Sequence, residues 1–149
     1  MRQVPSLRHA AFALALPGIL GLMPVPATRA ETFQATAVRD SVTKDQAGYF
    51  ISTMSGAATG IGQFDAVARI KCKGHHCAGY VVLNFGGGNS LECFTDIRFD
   101  THYQVGEGTY VISGGTGLFA GATGTGFFAV DERPGGVNAI ITWDGVIDY

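Results

Sequence analysis

The chain has 149 residues, of which 46% are hydrophobic and 15% charged, with a formal net charge of −2. One domain is expected at that length. A balance tipped to the acidic side argues against nucleic acid or anionic lipid as a partner, because phosphate binding needs clustered Lys and Arg.

The first 30 residues read as an export leader. Arg2 and Arg8 form a positive start, Ala10 to Met23 an apolar stretch, and Thr28 to Ala30 a small-residue cleavage signal ahead of Glu31. Cleavage after Ala27 is the neighbouring alternative. The apolar stretch is short and interrupted by Pro17, so a permanent membrane anchor is the weaker reading. There is no twin-arginine pair, so the general secretory route to the periplasm or the extracellular space is expected, with no membrane span after the leader is removed. Residues 1–30 are thus expected to be a signal peptide and 31–149 a single domain. Of the ten Lys and Arg, Arg2, Arg8 and Arg29 lie in the leader, which leaves seven against twelve acidic side chains, a net of −5.

The rest of the chain is rich in Gly, Thr, Val, Phe and Tyr. It breaks into short β-prone runs separated by Gly and Asx residues. Strands are expected near 32–39, 47–54, 63–72, 77–85, 91–99, 108–113, 126–132 and 138–148. An all-β fold follows, with no room for a helical layer. "ATGIGQF" (Ala58–Phe64) and "ATGTGFF" (Ala122–Phe128) share one pattern ahead of a strand, and both are read as sharp glycine corners of a curved sheet.

Two hairpins can be registered by their turns. "KGHH" (Lys73–His76) sets Cys72 beside Cys77 and Arg69 beside Tyr80. A "GGGN" turn (Gly86–Asn89) sets Phe85 opposite Leu91, Val82 opposite Phe94 and Tyr80 opposite Asp96. Side chains alternate faces along a strand. Ala66, Ala68, Ile70, Val81, Leu83, Phe85, Cys93, Thr95, Ile97 and Phe99 then form a core face. Asp65, Val67, Arg69, Tyr80, Val82, Asn84, Glu92, Phe94, Asp96 and Arg98 form a mixed face. Around "RPGGVN" (Arg133–Asn138) both faces read as apolar: Phe127, Ala129, Ile141 and Trp143 on one, Phe128, Val130 and Ile140 on the other. Such a hairpin is covered on both sides, by the interior on one and by a neighbouring subunit or a loop on the other, so self-association is one expectation.

Three segments raise chemistry. "GGTGLFAG" (Gly114–Gly121) superficially resembles a dinucleotide loop, but that mechanism needs a helix opening straight after the glycines, and here a strand follows. "CKGHHC" (Cys72–Cys77) reads as a disulfide closing its hairpin, with a reduced pair or a metal site as alternatives. Cys93 reads as a small buried hydrophobe. The mixed face offers the functional candidates. Tyr80, Asp96, Glu92 and Arg69 are the possible acid/base set, and Val67, Arg69, Tyr80, Val82, Asn84, Phe94 and Asp96 are the possible ligand-binding set. An ordinary solvated face is the alternative. No activated serine elbow occurs, and neither a metal nor a cofactor is expected.

"GTYVISGGTGLFAGATGTGFF" (Gly108–Phe128) resembles the signature of the allene oxide cyclase and dirigent barrel superfamily, and "DGVIDY" (Asp144–Tyr149) is similar to the ending of its bacterial exported members. The resemblance implies an eight-stranded antiparallel up-and-down, calycin-like barrel able to hold one small apolar ligand, without a cofactor, in dimers or trimers. The plant enzymes' catalytic residues match no specific position here. Three functions are therefore expected in order: binding of a small hydrophobic molecule in the barrel, cofactor-independent cyclisation or isomerisation, and a structural or protein-interaction role.

Overall fold

The computed structural model describes residues 30–149. The leader expected at 1–30 lies, but for Ala30, outside them. Eight strands follow one another: β1 (Glu31–Lys44), β2 (Phe50–Ala58), β3 (Gly62–Lys73), β4 (His76–Gly86), β5 (Asn89–Asp100), β6 (Val105–Thr116), β7 (Thr123–Asp131) and β8 (Ile140–Asp148). Each is antiparallel to the next, and β8 pairs with β1 to close an up-and-down barrel. Closure satisfies both edges of the sheet. Among the described residues no helix is long and apolar enough to cross a membrane.

Alternation of apolar and polar residues positions every wall. Phe33, Ala35 and Ala37 point inward from β1; Ala66 and Ala68 from β3; Val81 and Leu83 from β4; Leu91, Cys93, Thr95 and Ile97 from β5. The barrel interior is filled by these side chains. Phe33 of β1 meets Tyr110 of β6 with ring centroids 6.1 Å apart, and Phe64 of β3 meets Trp143 of β8 at 6.0 Å. Each pair joins strands that are three places apart in the sheet, so their rings span the lumen. An eight-stranded barrel is just wide enough for such filling. Phe119 packs between Phe85 and Tyr149, ring centroids 5.2 and 5.0 Å away, the second edge to face.

Glycines decide where the largest interior side chains lie. A Cβ on Gly126 would strike the Asp144 carbonyl, the Gly145 Cα and Tyr110 Cε1, and one on Gly145 would strike the Tyr110 hydroxyl. The two residues face each other across β7 and β8, so the Tyr110 ring lies in a trough without side chains. The second glycine pattern is therefore not a corner. Gly124 and Gly126 lie inside β7 and seat Ile112 and Tyr110. The first pattern is a turn, with Gly60 at φ 76° between β2 and β3.

The β3–β4 register is as read from sequence, with Cys72 opposite Cys77 and Arg69 opposite Tyr80. The β4–β5 register differs by two residues. The turn holds only Gly87 and Gly88, both at positive φ (59° and 83°), as a tight two-residue hairpin turn requires. Phe85 lies in the register irregularity between Asn84 and Gly86. Tyr80 consequently pairs with Phe94, Val82 with Glu92, and Asp96 with Ala78. A shift of two leaves every side chain on its expected face. At the last hairpin the expected faces are mixed. Phe128 pairs with Trp143 and Val130 with Ile141, all four inward, whereas Phe127 pairs with Asp144 and is 74% exposed. A short 3-10 turn over Gly136–Asn138 sets this register, moving each β8 side chain by one position relative to β7.

Candidate functional site

The mixed face is the outer wall of β3–β5. Val67, Arg69, Tyr80, Val82, Asn84, Glu92, Phe94, Asp96 and Arg98 are all exposed there. The expected ligand-binding and acid/base residues thus share one surface, outside the barrel and not in its lumen. They do not form one cluster. Asn84 accepts from the Gly86 backbone N–H at 2.9 Å, and Glu92 accepts from Ser113 at 2.9 Å, one row further along the wall.

Arg69, Tyr80 and Phe94 lie side by side across three strands and border a groove of about 590 Å³, completed by Tyr49, Lys71, Lys73, His76 and the backbone at Ala78–Gly79. Its chemistry starts in the β1–β2 turn. Asp45 accepts from the Tyr49 backbone N–H at 2.9 Å and from the Arg69 guanidinium at 3.1 Å. Those two contacts, the backbone bond first, hold the Asp45 carboxyl below its ordinary range. The Arg69 guanidinium stacks 3.6 Å from the Tyr49 ring centroid, and the Lys71 ammonium sits 5.0 Å from it. Cations prefer the negative face of an aromatic ring, so Tyr49 holds both charges at the groove mouth. Tyr80 and Phe94 form an edge-to-face pair 5.1 Å apart, and remain 51% and 36% exposed. Asp96 does not join the Arg69–Tyr80 row. It pairs with His76 at 2.6 Å, on the side nearer the disulfide.

The Cys72–Cys77 disulfide closes the β3–β4 hairpin beneath this groove, and Cys93 is buried. The histidines of that turn are engaged elsewhere: His75 Nδ1 donates to the Phe99 carbonyl at 3.1 Å. Among the described residues no three His, Cys, Asp or Glu side chains are placed to hold a metal. Val111 of β6 stands exposed beside Phe94, and across the barrel Phe127 of β7 and Val146 of β8 are exposed apolar residues.

The sequence reading did not single out Tyr49, Asp45, Lys71 or Lys73 for this site. A signal for the lysines was present. Arg69, Lys71 and Lys73 alternate, so a single strand puts all three cations on its outer face. Every lysine of the chain, Lys44, Lys71 and Lys73, lies at this end of the barrel. The net charge of the chain conceals that clustering. No protein-family model matches the chain, and no characterised protein matches it in sequence.

Proposed function

We propose that this is an exported binding module that takes its ligand in the outer groove of β3–β5. The observation that carries the reading is the position of the Arg69–Tyr80–Phe94 row. It stands outside, partly apolar and partly charged, while aromatic side chains fill the lumen. A groove with apolar walls and a few convergent polar groups is the usual form of a small-ligand site. The Cys72–Cys77 disulfide supports residence in an oxidising compartment. Self-association through Phe127 and Val146 is compatible with this reading, because β7 and β8 lie across the closed barrel from β3 and β4.

Trp143, the only tryptophan, is an internal reporter because it is buried in the lumen. Ligands are to be screened by native mass spectrometry of the protein from its own host, and binding of a recovered ligand followed with Trp143 emission. Binding in the outer groove leaves that emission unchanged and is lost in Tyr80→Ala and Phe94→Ala. A ligand that shifts Trp143 emission and is indifferent to both substitutions would place the site in the lumen and refute the proposal.

A further inference from the structure

We infer that the ligand of this groove is an organic anion: a flat apolar body carrying a carboxylate or sulfonate at one end. The inference rests on the outer-groove reading above and adds the chemistry of the ligand to it.

The groove is polar at one end and apolar at the other. Along β3 the outward positions run Val67, Arg69, Lys71 and Lys73, spaced about 7 Å apart. Val67 and Val82 are paired and exposed beyond the groove, Tyr80 and Phe94 follow, and the lysines stand at the disulfide end. The cations there are not all matched by acids. Asp45 is committed to Arg69 and Tyr49, and Asp96 to His76. Among the described residues no carboxylate lies within ion-pair distance of Lys71 or Lys73. Arg39 pairs with Glu132 and Arg133 with Asp131, each at 2.6 Å; among the described residues Lys44 and Arg98 also lack a carboxylate within ion-pair distance, but neither lines this groove. Two exposed ammonium groups without an acidic partner, Lys71 resting on the Tyr49 ring, beside an exposed aromatic pair define what would fit. An anionic group meets Lys71 and Lys73, with Arg69 held alongside by Tyr49 and Asp45. A planar or hydrocarbon body then covers Tyr80 and Phe94. A neutral apolar molecule would use only the second half.

A matched pair of fluorescent probes separates the two halves: anilinonaphthalene sulfonate, and phenylnaphthylamine, which has a similar aromatic body and no charge. The full secreted chain is titrated with each. The expected result is saturable one-to-one binding of the sulfonate, about tenfold tighter than the neutral probe, and weakened as salt rises from about 20 mM to about 500 mM. The Lys71→Gln/Lys73→Gln double variant should lose about five- to tenfold in sulfonate affinity and less than about twofold for the neutral probe, in line with two exposed charge contacts. Both lysines are surface groups, and a thermal melt coincident with the parent's checks that the double variant is folded.

Equal binding of the two probes, both lost in Tyr80→Ala, overturns the anion inference and leaves the groove reading standing. Sulfonate binding that is unchanged in Tyr80→Ala and in the lysine double variant overturns both, as does failure of both probes to bind.

Discussion

The Tyr110 hydroxyl makes an unusual prediction: removing it should stabilise the protein. Tyr110 is fully buried, its ring lies in the Gly126–Gly145 trough against Phe33, and its oxygen has no hydrogen-bond partner. Burying an unpaired hydroxyl costs about 1–3 kcal/mol relative to leaving it in water. Tyr110→Phe deletes that penalty and keeps the ring. The void left by one oxygen, on the order of 10 Å³, returns only about 0.2 kcal/mol of the gain. A net stabilisation of about 1–2 kcal/mol is expected, or a rise in Tm of about 4–8 °C for a domain of this size. Urea unfolding with an unchanged m-value, beside calorimetry, measures it. Tyr110→Leu is the companion variant. It removes the ring as well, and should destabilise by about 2–4 kcal/mol through the cavity it opens. If Tyr110→Phe instead lowered stability by more than about 0.5 kcal/mol, the hydroxyl would have to be bonded in solution, and the account of an orphaned group would be wrong.

Gly126→Ala should cost about 3 kcal/mol, because the new methyl meets the backbone of Asp144 and Gly145 as well as the Tyr110 ring, and backbone cannot step aside without opening the β7–β8 ladder. Gly60→Ala has open space around it and only a positive φ to strain, so a loss of about 1 kcal/mol is expected; chemical denaturation of the two variants together tests whether crowding or conformation dominates. Cys93 sets part of the alkaline limit. Burial, helped by Glu92, pushes its thiol from 9.0 up to about 12. The folded state then holds a proton that the unfolded state gives up, so this contribution is intact below about pH 9 and lost as pH rises towards 12. Urea midpoints of Cys93→Ala should fall less steeply than the parent's above about pH 9, the difference approaching 1.4 kcal/mol per pH unit; parallel curves would sink the argument.

Much of the wall was legible in the sequence because a strand's side chains alternate with a period of two. The core face from Ala66 to Phe99, the β3–β4 register and the Cys72–Cys77 pairing all follow from that period and one short turn. The β4–β5 partners did not follow, since "GGGN" admits turns of different length and only the geometry of Gly87 and Gly88 selects the two-residue form. The last hairpin went further astray. Its loop ends in a 3-10 turn that moves β8 by one position, which exchanges Phe127 and Phe128 between water and core relative to Trp143.

The sequence by itself determined the class of fold, the number of strands and the side of the sheet on which Arg69, Tyr80, Phe94 and Asp96 stand, because local alternation and turn residues act over neighbouring positions. Only the tertiary structure decided which side is the lumen's, and how full that lumen is. Phe33 with Tyr110, and Phe64 with Trp143, meet only when β8 closes on β1. The groove is likewise a product of closure and register: Tyr49 from one turn, Arg69 and Lys71 from one strand, and Tyr80 and Phe94 from two more converge because the sheet curves. Alternation assigns a side chain to a face, but the distances between faces of different strands are set only when the sheet closes.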